Sequence, residues 1–168
     1  MNRKSLVRKK SGILLDLSLG GTPQANSVTC AELKMDPRQP SFPLPSRSVH
    51  TAVCTHVLEY VEPTRVWQWF DELHRVMRPG GIVYFSGPYG GDDSAGWIAD
   101  PTHRVRVIEQ TFAHLDPRFP FYELHADVGR ALPKPWHVLQ ATRVPGTHGT
   151  VGYNAILQSQ PTNGRKRR

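Results

Sequence analysis

The stretch from Ser48 to Pro88, SVHTAVCTHVLEYVEPTRVWQWFDELHRVMRPGGIVYFSGP, constrains this chain more than any other. Thr51 to Val57 is a short, largely apolar and β-branched run, which suits a strand buried on both faces of a parallel sheet. Val66, Phe70, Leu73 and Met77 then recur at spacings of four, three and four, the stripe of an amphipathic helix. Pro63 is placed to start that helix, whose first turn has spare N–H groups in any case. Pro79-Gly80-Gly81 is placed to stop it, and Ile82 to Ser86 reads as a second strand closed by Gly87-Pro88. Two strands joined through a helix of this length are expected to be parallel neighbours in one α/β sheet.

The same residues carry a family resemblance. HVLEYV followed by FDELHRVMRPGGIVYFSGPY resembles the fourth strand, fourth helix and fifth strand of class I S-adenosylmethionine-dependent methyltransferases. There the usual reading is H-x-L-E-H, then E-x-x-R-V-L-K-P-G-G and a strand. Here Tyr60 stands for the second His, Met77 for the Leu and Arg78 for the Lys. The resemblance implies a Rossmann-like open sheet, mostly parallel with an antiparallel last strand. It also implies S-adenosyl-L-methionine as cofactor, a methyl acceptor that the residues do not name, and Thr55 and His56 beside the cofactor. The alternative is a catalytically inactive methyltransferase-like binding or scaffold module.

Toward the N-terminus, Gly12 to Leu19 (GILLDLSL) reads as the first strand, broken by Gly20-Gly21-Thr22-Pro23. By resemblance this is the family's first motif, L-D-L-G-C-G-x-G, in which glycines let the backbone approach the ligand. Leu15-Asp16-Leu17 is kept, whereas Ser18 and Leu19 replace the first glycine and the small residue. The resemblance makes Asp16, Leu17, Ser18 and Gly20 cofactor residues. Asp16 either orients the loop and reaches the cofactor, or is a buried acid capping the turn. Only about 26 residues, Thr22 to Arg47, then remain before the next strand. At ~1.5 Å per helical and ~3.3 Å per strand residue, that is too few for two helices and two strands, so the second and third strand region is shortened. Ser27 to Leu33 is one expected short strand. Asp36 beyond it matches the family's adenine-contacting acid, and the ribose-binding acid has only Glu32 as a weak counterpart.

After the fifth family strand, Gly90, Gly91, Asp92, Asp93 and Gly96 describe a loop at the sheet edge where open α/β folds bind ligands. Asp100-Pro101-Thr102-His103-Arg104 resembles a D-P-T-H-x-R segment of a subset of these proteins, followed by a short helix, here Glu109 to Leu115. An acceptor O–H or N–H must lose its proton, and His103 with Asp100 could take it. Equally, Asp100 could cap a turn with His103 bound to it, locking the loop. Leu132 to Val144 and Gly152 to Gln158 read as a closing strand pair joined by a turn through Gly146 and Gly149, and Trp136 as a packing residue.

Composition limits the alternatives. The chain of 168 residues suits one domain, residues 12–158, between basic tails at 1–11 and 159–168. The net charge of +7 belongs to those tails: five Lys/Arg lie in residues 1–10 and four in 165–168, leaving 12 basic against 14 acidic residues in between. The tails read as solvated ends. Nucleic-acid binding through them is the less favoured reading, since the body lacks a basic balance. No run approaches a membrane span or a signal peptide, and Cys30 and Cys54 have neither metal nor disulfide spacing. A reducing cytoplasm without a metal centre is expected.

Overall fold

A computed structural model describes residues 12–91, 95–127, 130–146 and 150–161. Asp92, Asp93, Gly149 and nearly all of both basic tails lie outside the described residues. Six strands form one sheet in the order β2-β1-β3-β4-β6-β5. They are β1 (Ile13–Asp16), β2 (Val28–Thr29), β3 (Val49–Thr55), β4 (Met77–Pro88), β5 (Trp136–Pro145) and β6 (Val151–Ser159). The first four are parallel, while β6 runs antiparallel to β4 and β5 between them. This is the open, mostly parallel α/β sheet with an antiparallel last strand that the sequence implies.

The strand–helix–strand unit forms with shifted boundaries. β3 ends at Thr55 rather than Val57, because His56 takes a left-handed φ of 53° and turns the chain out of the sheet. Pro63 opens a 3₁₀ turn, Pro63–Arg65, that leads into helix α2 (Val66–Val76). The helix stops at Met77 (ψ 137°), before the Pro-Gly-Gly. Residues 78–81 instead form a bulge within β4, since Val49 pairs with Met77 but Thr51 with Ile82. Val66, Trp69, Phe70, Leu73 and Val76 are the buried stripe of α2.

The segment between β1 and β3 is as short as its length requires. Ser27 to Leu33 is not one strand: only Val28–Thr29 pairs with β1, and Cys30–Leu33 forms the one-turn helix α1. Thr29 and Glu32 explain the difference. They make a reciprocal capping box, the Thr29 hydroxyl accepting from the Glu32 N–H and the Glu32 carboxylate from the Thr29 N–H. After β4 come three short helices, α3 (Ala95–Ile98), α4 (Glu109–Ala113) and α5 (Leu124–Asp127). Gly96 therefore lies in a helical turn rather than in a loop.

The core is one aromatic seam between the sheet and its helices. Trp69 and Phe70 of α2 meet Phe85 of β4 at centroid distances of 6.3 and 5.8 Å. Phe112 of α4 joins Phe85 to Tyr153 of β6, at 5.5 and 5.7 Å. Along β4, Val83 and Phe85 are buried while Tyr84 is 46% exposed, and on β6 Tyr153 and Ala155 are buried while Asn154 is exposed. Trp136 is fully buried and packs edge-on against His74, a packing residue. Both cysteines are free thiols, and among the described residues no helix is long and apolar enough to cross a membrane.

Candidate functional site

The carboxyl ends of β1 and β3 lie side by side, and the chain leaving β1 runs on along β3 before it turns away. Leu17 and Leu19 donate their N–H groups to the carbonyls of Val53 and Thr55 at 2.8 and 2.9 Å, continuing the β1–β3 pairing past Asp16. Asp16, 5% exposed, accepts the Ser18 N–H at 3.0 Å on one carboxylate oxygen and the Gln24 N–H at 2.8 Å on the other. One acid thus fastens both ends of the loop from Ser18 to Gln24. The Ser18 hydroxyl accepts the Thr55 N–H at 3.2 Å. Leu17 is fully buried, so its side chain belongs to the core.

Gly20 and Gly21 stand at the crest of this loop with φ of 82° and 77°, left-handed values that side chains disfavour. A Cβ at either glycine would meet nothing within 4 Å, so that side of the loop is open. The Cys30 thiol donates to the Asp16 carbonyl at 3.5 Å. Burial, then the charges of Asp16 and Asp36, push it up to about 12. Asp36 is bound by Arg38 through Nε, Nη2 and the backbone N–H at 2.9 to 3.0 Å, and that guanidinium holds its carboxyl below the usual range. Glu32, the weak ribose candidate, serves the α1 cap.

Across β3, the Ser86 hydroxyl donates to the Thr55 hydroxyl at 3.1 Å, and the His56 N–H to the Ser86 carbonyl at 2.9 Å. His56 Nδ1 lies 3.0 Å from a carboxylate oxygen of Glu59, in the 3₁₀ turn Leu58–Tyr60. Asp16, Ser18, Gly20, Thr55 and His56 are therefore joined at one sheet edge, and Asp36 follows Met35, whose N–H donates to the Cys30 carbonyl at 3.1 Å. The Glu59 partnership was visible only as a three-residue spacing from His56.

Asp100 and His103 form a separate assembly. The Tyr60 hydroxyl donates to Asp100 at 2.8 Å, and the Thr102 hydroxyl and N–H also donate to Asp100, at 2.6 and 2.8 Å. The Thr102 and Tyr60 donors hold the Asp100 carboxyl down to about 2, while burial, then Asp100, push Tyr60 up to about 12. The His103 side chain is only 4% exposed. Its Nδ1 is 2.9 Å from the Trp97 carbonyl, its Nε2 faces Asp100 at 3.6 Å, and Tyr60 packs against the ring at 4.9 Å. Nδ1 is thus at hydrogen-bond distance from a carbonyl while Nε2 stands farther from the carboxylate, and Tyr60, Trp97, Asp100 and His103 form one cluster. Tyr60→Phe should accordingly speed amide exchange at His103, Arg104 and Val105 and leave β3 unchanged, as measured by hydrogen-exchange mass spectrometry.

Among the described residues no group of three or more His, Cys, Asp or Glu side chains comes together to hold a metal ion.

The architecture is the class I methyltransferase fold, and residues 9–85 match the family model of the methyltransferase domain. That match carries the loop after β1, the end of β3 and most of β4. Among solved structures, a SAM-dependent methyltransferase from Aquifex aeolicus is 13% identical over 93% of this chain and 86% of its own, with a TM-score of 0.51. The (4+2)-cyclase SpnF is 14% identical over 95% and 80%, with a TM-score of 0.50. A SAM-dependent methyltransferase from Methanosarcina mazei is 16% identical, with a TM-score of 0.47; the match covers 72% of this chain and 64%, less than two thirds, of that one. No curated protein sequence matches the chain. At these identities the likeness is one of fold, and a cyclase among these structures is a reminder that a fold does not set a reaction.

Proposed function

We propose that this protein is an S-adenosylmethionine-dependent methyltransferase. The observation that carries the reading is the Gly20-Gly21 crest, open on its outer side and held by Asp16 next to the end of β3. Ligands of open α/β sheets bind at the carboxyl ends of the strands, where the backbone must come close to them. The methyltransferase-domain match covers this edge. When bound, the cofactor supplies an electrophilic methyl group on a sulfonium, so the protein's part is to position two reactants and exclude water.

In this reading Asp16 preorganises the loop, because its two oxygens are already taken by backbone N–H groups. The backbone of Leu17, Ser18 and Gly20 forms the cradle, and Thr55 and His56 border the reacting end. Asp36 would need to exchange its Arg38 contacts to meet an adenine amino group. Asp100 and His103 hold the loop that follows β4 against Tyr60 at the same edge. Calorimetric titration of the full chain with S-adenosylhomocysteine tests the reading: saturable one-site binding is expected. Absence of heat at millimolar ligand would remove the basis of the assignment.

A further inference from the structure

The cofactor reading leaves Glu59 unexplained. Its side chain is fully buried, with Oε1 on His56 and Oε2 without a hydrogen-bond partner. A carboxylate taken out of water is costly unless paired, so a structure that keeps one dry has fixed its position for a reason. The cradle around it is tight. Gly87 of β4 comes so close that a Cβ there would lie 3.0 and 3.1 Å from the two carboxylate oxygens and 3.0 Å from the Tyr153 ring. The Glu59 carbonyl also accepts the N–H groups of Arg104 and Val105, at 2.6 and 3.2 Å. Glu59 therefore cannot swing outward, and its one partnered oxygen is directed to His56.

His56 is the opposite case. It sits at the carboxyl end of β3 with 53% of its side chain exposed, on a backbone turned left-handed. Such a conformation persists when the surroundings over-determine it, and it is enriched at functional sites. A buried carboxylate on Nδ1 selects the Nδ1–H tautomer, which leaves the Nε2 lone pair free.

We infer that His56, positioned by Glu59, is the proton acceptor of the transfer step, and that the methyl acceptor is a neutral O–H or N–H group. This rests on the methyl-transfer reading above. The acceptor's lone pair forms the new bond to the methyl carbon, and the electron pair of the broken S–C bond stays on sulfur. The acceptor's proton passes to His56 Nε2, and neutral S-adenosylhomocysteine leaves. An acceptor that is already an anion would not need the pair.

The hydrogen bond that His56 donates to Glu59 raises the proton affinity of His56 against the opposing effect of burial. The other titratable groups around Glu59 are Tyr153 on β6, pushed well up by burial and then by Glu59, and Tyr60, which is bound to Asp100. Both remain neutral as His56 titrates, so Glu59 is the partner that sets its proton.

The test is two-bond ¹H–¹⁵N NMR of the histidine rings in the full chain, with His56 assigned by comparison with His56→Ala. Above its titration the ring is expected as the Nδ1–H tautomer, and its midpoint is expected to move down in Glu59→Gln. S-adenosylhomocysteine should also shift the His56 resonances. An Nε2–H tautomer, or a midpoint indifferent to E59Q, would overturn the inference, and the wild-type tautomer decides even if E59Q fails to fold. Heat on adding S-adenosylhomocysteine without any change at His56 would sink the base and leave methyl transfer standing. No heat would remove both.

Discussion

Trp69→Ala is expected to destabilise the protein by about 3–5 kcal/mol, read as a lower midpoint in urea unfolding. Trp69 is fully buried in α2 and contacts Phe42, Phe70 and Phe85 at 5.9, 5.4 and 6.3 Å. Truncation therefore opens a cavity where the helix, the sheet and the loop before β3 meet. Its indole N–H also donates to the Pro37 carbonyl at 2.7 Å. That bond and the Phe42 contact join the Glu72 and Arg75 hydrogen bonds to Phe42 in holding the loop bearing Asp36 against the helix. Trp69→Phe separates the two contributions: the ring is largely kept, and the loss should fall to about 1–3 kcal/mol for an unpaired buried carbonyl and the smaller ring. Tyr84→Ala, on the exposed side of β4, should stay within about 0.5 kcal/mol of wild type. A Trp69→Ala protein as stable as wild type would mean that the seam is not the core.

Asp16→Ala should have the larger functional effect. It leaves the N–H groups of Ser18 and Gln24 without their acceptor, and each part-buried donor costs on the order of 1–3 kcal/mol when unmade. Removing the buried carboxylate recovers part of that cost, so the net loss of stability should be the smaller share. The larger share should appear in binding, because an unfastened Gly20-Gly21 crest must be ordered by the ligand itself. Affinity for S-adenosylhomocysteine is expected to fall at least about tenfold, roughly 1.4 kcal/mol, by calorimetry. Asp16→Asn, which keeps a single acceptor oxygen, should fall between the two. Unchanged affinity in Asp16→Ala would mean that the ligand site lies elsewhere on the sheet.

The parts of this fold legible from the sequence are those fixed by local pattern. Val66, Phe70 and Leu73 mark α2 because a helix must turn one stripe to the core, and all three are buried there, whereas Met77, the fourth residue of that stripe, opens β4. The closing strand pair is legible from two apolar runs around a glycine turn, and its antiparallel placement from the family resemblance. Ser27 to Leu33 was misread because β-branched Val28 and Thr29 signal a strand, whereas Thr29 and Glu32, three apart, spell a helix start. The end of β3 was missed because a left-handed His56 leaves no mark in apolar periodicity.

The site divides in the same way. Asp16 stands out as an acid in an apolar strand, whereas its partners, the N–H groups of Ser18 and Gln24, depend on how the following loop turns. For His103 the surroundings, Tyr60 and Trp97, are a matter of tertiary packing that no local pattern shows. The Glu59 cradle is built from Gly87 and Tyr153, which reach it on two later strands, and no local window contains all three.

The place of β6 has a kinetic consequence. It is the last strand among the described residues yet lies between β4 and β5, pairing from Ile82 to Pro88 on one side and from Trp136 to Pro145 on the other. During synthesis β5 therefore emerges with no partner, and β4 waits with a bare edge. The sheet becomes continuous only when residues 151–159 arrive. Folding should be slow and nearly all-or-none at that late step, as expected where pairing is distant in sequence.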